Sequence, residues 1–494
     1  MGSISFLLPH PMPALAQATL RRASFAHGFE QTIDATAVEV RDGRIILTKS
    51  LSDSGHLLMP WPVGGFGTLV AASPTLRERA EPYRLLLELA RGKLNQVRTQ
   101  SADWQAIGLV TPHNFDRGLV EATRLFGKAV QAPAGESDNL SGRVLEQSFA
   151  LADLLAREFA EQLFDTRHQE EEMLDTRLAA RTMRGWGTLG AEYARTFNAA
   201  QIALRWRDVE PQESAYDWSD TDAAVAAAKA AKLPITMGPI IDLAPGMLPI
   251  WAAGWEGDLP TLAAFMCDFL ETAIRRYKAD VPRWIVCAGF NQADSLGLDD
   301  DERLRLAFRL FEAANQIDPN LELVLSVAQP WGDYLVKDEH TISPLTFPDD
   351  LIRTGLKVSA VELEIRIATT PRGSFPRDLL DTARLINLFT VLGRPLELAL
   401  SLPSSPAPDA VAAHHGQSVW APSSRTGPSP EGQSEWGASF ATLGLCTPHV
   451  RAVTWDHWSD GDPHLTPCGG LIDSNGVPKP LLGRLRTIRA AHLR

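Results

Sequence analysis

Three carboxylates, Glu364, Asp242 and Asp456, stand at or just past the ends of apolar runs that read as buried strands, and are the candidate catalytic groups. Two carboxyls in one pocket can perform acid–base work, one giving a proton while the other takes one. Glu364 belongs to Val361-Glu-Leu-Glu-Ile-Arg-Ile367, whose alternation puts Glu364 and Arg366 on one face. They read either as chemistry-bearing groups or as an Arg–Glu pair closing the top of the core. Asp456 and His457 are a candidate acid–base pair, since histidine titrates near neutral pH and a nearby anion favours its charged form. Neighbours in a strand point to opposite faces, so only one of the two should enter a pocket. Asn291 and Gln329 end two further runs, and Asp460 and Asp462 read as loop caps.

Such groups need rigid elements beneath them. After about residue 180 short apolar runs alternate with helical stretches, as a wound α/β architecture requires. The strand candidates are Ala179–Met183, Gln201–Trp206, Pro234–Ile241, Trp284–Gly289, Leu321–Val327, Ser359–Ile365, Leu396–Leu402 and Ala452–Trp455. Eight of them predict an α/β fold of the (β/α)8 TIM-barrel type over 180–494, with active-site loops at the strand C-termini. Ser219-Asp-Thr-Asp222 reads as a capping box before Ala223–Ala231, and Asp299–Asn315 as a helix opening on acidic residues. Pro403 to Glu431 reads as a long loop after the seventh strand.

Two units precede the barrel. Residues 1–75 read as a small β-rich unit, with Val38–Thr48 turning at Asp42-Gly43. Leu85, Leu86, Leu89 and Leu94 carry helical spacing, and a long amphipathic stretch runs from Leu140 to about Leu174, so 76–179 reads as an α-helical segment. Trp61 reads as core.

Composition narrows the partners. A net charge of −13 repels phosphate backbones and anionic lipid, and no run of about 18 apolar residues is present, so neither nucleic acid nor membrane is expected. Four sparse cysteines give neither a disulfide framework nor a metal site. His414-His415 lacks a nearby carboxylate, and Glu170-Glu171-Glu172 cannot share one helix face, so no metal and no cofactor is expected. The N-terminus has an apolar patch at Ile4–Leu8 broken by prolines with no preceding positive charge. That favours a cytoplasmic protein, while the small residues of Ala14-Leu15-Ala16 leave secretion open.

From about Ala180 onward the chain resembles glycoside hydrolase family 10, the endo-1,4-β-xylanases. The resemblance covers about two-thirds of the chain. It is carried by Phe197-Asn198, Arg205-Trp-Arg-Asp-Val-Glu-Pro211, Tyr216-Asp-Trp218, Leu248-Pro-Ile-Trp251, Arg276-Tyr-Lys278, Asp318-Pro-Asn320, Ser459-Asp-Gly-Asp462 and Gly470–Pro480, in order and at matching spacing. The resemblance implies a barrel acting on β-linked glycans. Arg205, Trp206, Asn291, Gln329, Trp331, Arg366, His457 and Trp458 become candidate substrate-binding residues, since aromatic faces stack on sugar rings and polar groups fix their hydroxyls. Trp251, Trp255 and Trp455 lie near strand ends as well.

The family's retaining mechanism needs two glutamates. Its acid/base position falls on Gly289, after Ala288, and its nucleophile position on Leu400. Two functions remain open on these residues. One is hydrolysis with relocated carboxylates, Glu364 with Asp242 or Asp456, at the roughly 6.5–9.5 Å separation of inverting enzymes. The other is a non-catalytic glycan-binding or scaffold protein.

Overall fold

The alternating runs at the N-terminus form strands because each offers one apolar face and ends at a turn. The computed structural model describes residues 2–28, 32–34, 36–49, 52–255, 257–292, 296–336, 342–367, 373–413 and 428–494. Eight strands come first: β1 (Gly2–Leu7), β2 (Ser24–His27), β3 (Thr32–Asp34), β4 (Thr36–Arg41), β5 (Arg44–Lys49), β6 (His56–Val63), β7 (Gly67–Ala72) and β8 (Tyr83–Arg84). They make two four-stranded sheets, ordered β4-β5-β1-β8 and β3-β2-β6-β7. At the hairpin turn Arg41 pairs with Arg44. Asp42 and Gly43 there take φ of 49° and 68°, the left-handed pair that matches strand twist.

Three helices follow, Leu85–Ala106, His113–Gln131 and Ala134–His168. Leu85, Leu86, Leu89 and Leu94 fall on one buried face and share a core with Phe6, Phe25, Leu47 and Trp61. Strands and helices therefore have a common apolar interior. The longest helix also reaches the barrel: Phe149 and Leu155 lie in the first core, Ala160 and Phe164 in the second. Glu170, Glu171 and Glu172 lie exposed just past its end.

The barrel strands are β9 (Arg177–Thr182), β10 (Ala200–Ile202), β11 (Ile235–Met237), β12 (Ile241–Asp242), β13 (Arg283–Ala288), β14 (Glu322–Ala328), β15 (Ala360–Arg366), β16 (Leu396–Ser401) and β17 (Val450–Trp455). They run β11-β10-β9-β17-β16-β15-β14-β13-β12, and β11 also pairs with β13, which closes the ring. All pairings are parallel, and β11 and β12 share the third of eight strand positions. The split falls at Gly238 (φ +121°), where a Cβ would come within 2.4 Å of the Ile285 carbonyl oxygen. Only glycine lets the third position approach β13 there. Helices cover the outside, closing with Pro480–His492.

Three local expectations are corrected. Strand β10 stops at Ile202 and Trp206 opens a short helix, Trp206–Val209, because Trp206 Nε1 donates to Glu210 Oε2 at 2.6 Å across one turn. The helix expected from Ala223 starts at Ser219, with Trp218 rather than a capping box at its head. Asp222 instead binds the side chains of Arg276 and Tyr277. The capping box of Asp299 with Glu302 is present. The helix after β16 begins at Pro430, capped by Ser429, so the loop expected through Glu431 ends slightly earlier. His414 and His415 lie outside the described residues.

Residues shared with the xylanase pattern serve as architecture. Asn198 Oδ1 accepts from the Leu178 amide and its Nδ2 donates to the Thr176 carbonyl. The Glu210 carbonyl accepts from Trp251 Nε1 at 2.9 Å. The first pair ties the chain after the Gly190–Thr196 helix to the start of β9, and the last ties the end of the Trp206–Val209 helix to the turn at Ile250–Trp255.

Candidate functional site at the barrel mouth

Strand alternation sends Val361, Leu363 and Ile365 to the helix layer and Glu362, Glu364 and Arg366 into the lumen. Most barrels of this type fill the lumen with branched aliphatic side chains. This one places ion pairs there. Arg366 Nε donates to Asp456 Oδ2 at 2.6 Å, and its Nη1 pairs with Glu364. Arg181 Nη1 pairs with the same Asp456, and its Nη2 lies 3.3 Å from Glu362. At the opposite end of the strands Arg283 joins Glu397 and Glu322. Arg366, Glu364 and Asp456 are each about 1% exposed.

These partners decide protonation. Burial works against a charged Asp456, yet Arg366 and Arg181 hold its carboxyl well below the usual carboxylate range. Arg366, desolvated but flanked by Asp456 and Glu364, is pushed up and stays cationic. Asp456 is therefore a fixed anion and no proton donor. The Arg–Glu closing pair, one of two readings for Glu364 and Arg366, is formed.

Above this layer a small recess of about 50 Å³ lies between the ends of β9, β10, β12 and β17. Asp242, Asp456, Arg205 and His457 supply its polar wall, with Trp206 and Trp458 among its apolar groups. Asp242 Oδ1 accepts from the Ala244 amide at 2.8 Å, which fixes the carboxylate against the wall. Arg205 Nη1 lies 3.2 Å from Asp208, and burial lowers the guanidinium pKa. Trp206 stacks on Phe269 and meets Trp251 edge-on. Trp458 packs edge-on against Tyr193 and Phe197.

Both Asp456 and His457 line the recess, contrary to the alternation argument, because β17 ends at Trp455 and the backbone beyond is no longer pleated. His457 is not an acid. Its Nε2 accepts from the Thr466 amide at 3.1 Å, and burial, outweighing Asp456, pushes its pKa down to about 3. The ring is neutral with its proton on Nδ1. His464, 5.2 Å away ring to ring, has the opposite state. Its Nδ1 faces the Asp462 carbonyl at 2.6 Å and its Nε2 faces Asp409 Oδ2 at 2.8 Å, so both nitrogens donate. Burial opposes the charge, but the hydrogen bonds to Asp409 and the Asp462 carbonyl, with the Asp409 and Asp460 charges, together outweigh it and the pKa is raised. That ion pair ties residues 403–413 to the recess rim.

The structure thus brings Arg205, Trp206, Asp242, Asp456, His457 and Trp458 to one recess and sets Glu364 and Arg366 directly beneath it. Three expected residues do not join. Asn291 is spent on backbone, its Nδ2 donating to the Ala328 carbonyl and its Oδ1 accepting from the Ala328 amide. Gln329 Nε2 donates to the Gly373 carbonyl. Trp331 lines a separate cleft against Trp104 and Phe159 of the N-terminal helices, with Arg377 5.0 Å from its ring. Arg181 and Glu362 were missed. Charged residues inside an apolar strand run were the signal available for both. Asp460 caps as expected, accepting from the Gly470 amide and from Lys479.

The xylanase resemblance implies Leu400 and Gly289 as the positions of its catalytic pair. Leu400 faces the helix layer, so the lumen neighbours on β16 are Ala399 and Ser401. Gly289 follows β13 with φ +74°, between Ala288 and Phe290. A one-residue slip in either strand restores no carboxylate.

No protein-family model matches the chain, and no curated protein matches it. Among solved structures, native xylanase 10B from Thermotoga maritima matches at 16% identity, covering 67% of this chain and 97% of that one, with TM-score 0.46. Xylanase 10B from Thermotoga petrophila, in complex with xylobiose, matches at 16% identity over 67% of this chain and 96% of its own, with TM-score 0.45. A GH10 endoxylanase from a sugarcane soil metagenome matches at 16% identity over 65% and 97%, with TM-score 0.46. Likeness at this level carries no argument about chemistry, and the barrel stands on its own strand pairing.

Proposed function

We propose that this chain binds β-linked glycan at the barrel mouth without hydrolysing it. The observation that carries this reading is Arg366, which engages both Glu364 and Asp456. A glycosidase needs one carboxyl to arrive protonated, and arginine-paired carboxylates are poor donors. The recess keeps what binding needs, with Arg205, Asp242 and the His457 Nδ1–H as hydrogen-bonding groups beside Trp206 and Trp458. The ordered run of xylanase-like motifs points to β-linked sugars as the ligand class. A net charge of −13 disfavours nucleic acid. Among the described residues no helix is long and apolar enough to cross a membrane.

Hydrolysis through Asp242 and Asp456 is the second reading, favoured by their sharing one recess. Calorimetry against xylo- and gluco-oligosaccharides, run beside turnover of aryl β-xylosides and β-glucosides, separates the two. The expected result is saturable binding, weakened about tenfold in Asp242→Asn, the size of one lost charged hydrogen bond. Turnover that disappears in Asp242→Asn or Glu364→Gln would overthrow the binding reading.

A further inference from the structure

The lumen contains one contact that ionised carboxylates alone do not satisfy. Ser326 Oγ on β14 lies 2.8 Å from Glu362 Oε1 and 3.0 Å from Glu364 Oε1. A hydroxyl has one hydrogen to give and can accept through its lone pairs. With both glutamates charged, one of the two contacts would set oxygen against oxygen in a site where all three residues are at most 1% exposed. One added proton resolves it, running carboxyl to Ser326 Oγ and Ser326 to the other carboxylate.

The partners say which glutamate holds that proton. Glu364 is paired with Arg366. Glu362 has weaker cationic support: the facing guanidinium, Arg181, gives its Nη1 to Asp456. Arg181 Nη2 lies 2.8 Å from the Gln201 amide oxygen, once that amide is turned to satisfy both of its atoms, against 3.3 Å from Glu362. Glu397 on β16 is the register partner of Glu362, adding a like charge from that side. Of the other charged groups around them, Arg283 is engaged with Glu397 and Asp456 with Arg366, and Arg177 on β9 lies beside Arg283, Glu397 and Glu322. Burial first, then Glu397 and Glu364, push the Glu362 carboxyl up against the pull of Arg181.

We propose that Glu362 is a neutral carboxylic acid inside the folded barrel, donating to Ser326, and that its ionisation competes with Asp456 for Arg181 at the recess wall. The folded chain keeps this proton where the unfolded chain has lost it, above about pH 4.3. The contribution of Glu362 to stability therefore declines as pH rises through the window above that value. When Glu362 ionises, the proton leaves to water and Arg181 faces two anions instead of one. The inference is independent of what the recess binds.

Infrared difference spectroscopy on the whole chain tests it. At pH 7 the wild type should show the carbonyl stretch of a protonated carboxylic acid, lost in Glu362→Gln and kept in Glu364→Gln. A wild type without that band, or a band that survives in folded Glu362→Gln, overturns the proposal. If Glu362→Gln does not fold, Ser326→Ala decides. Removing the acceptor should shift the band, and an unshifted band overturns the assignment equally.

Discussion

The barrel lumen and the N-terminal core are both sealed from water, and they differ in what fills them, the one mainly ionic and the other mainly apolar. Around Leu89 the N-terminal unit packs Phe6, Phe25, Leu47, Trp61 and Phe149, with buried Lys49 and Lys93 as single cations over the Phe25 and Phe149 rings. Around Arg366 the lumen packs Glu364, Asp456, Arg181 and Glu362. An apolar core gains in proportion to the area it buries and degrades gradually. An ionic one gains little net energy when complete and loses heavily when one member is removed. Polar residues in a lumen therefore signal constraint, not reactivity, until an unpaired group is found among them.

The largest effect expected from that contrast is in the lumen. Arg366→Met leaves Glu364 and Asp456 without their shared cation and should cost about 3–5 kcal/mol in chemical denaturation. Adding Asp456→Leu should recover part of it, with a coupling of about 0.5–3 kcal/mol in the double-mutant cycle. Additive losses would mean that the network is not one unit. In the N-terminal core Leu89→Ala should cost about 3 kcal/mol. There no second substitution is expected to restore stability.

A smaller effect separates the two histidines at the rim. His457 is held at about 3 in the fold against roughly 6.5 unfolded. The unfolded chain takes up the proton first, so stability falls as pH drops below about 6.5, by at most about 1.4 kcal/mol per pH unit. His457→Gln, which keeps an acceptor for the Thr466 amide, should flatten that slope. His464 has the other sign, its stabilisation being present at low pH and lost as pH rises through its raised pKa. Nitrogen NMR at pH 6 should find His457 neutral with Nδ1 protonated and His464 doubly protonated.

Much of the fold was legible because period-two and helical spacings report directly on burial. All eight predicted strands overlap the observed ones, and the Asp42-Gly43 turn needs no tertiary contact to form. Local competition caused the misses. At Trp206 a one-turn bond to Glu210 overrides an apolar run, and at Ser219 the helix starts four residues early. The site was legible only in part. Arg205, Trp206, Asp242, His457 and Trp458 meet at one recess, whereas Asn291 is consumed by the Ala328 backbone and Trp331 faces another cleft.

Sequence alone determined that the chain alternates strands and helices into a barrel. Residue type and spacing suffice for that. Only the tertiary structure decided which charges meet. Arg181 and Asp456 are 275 positions apart, and Arg366 and Asp456 90. Ring closure brings these strand ends together, so the protonation of each carboxylate is set by partners that no local pattern names.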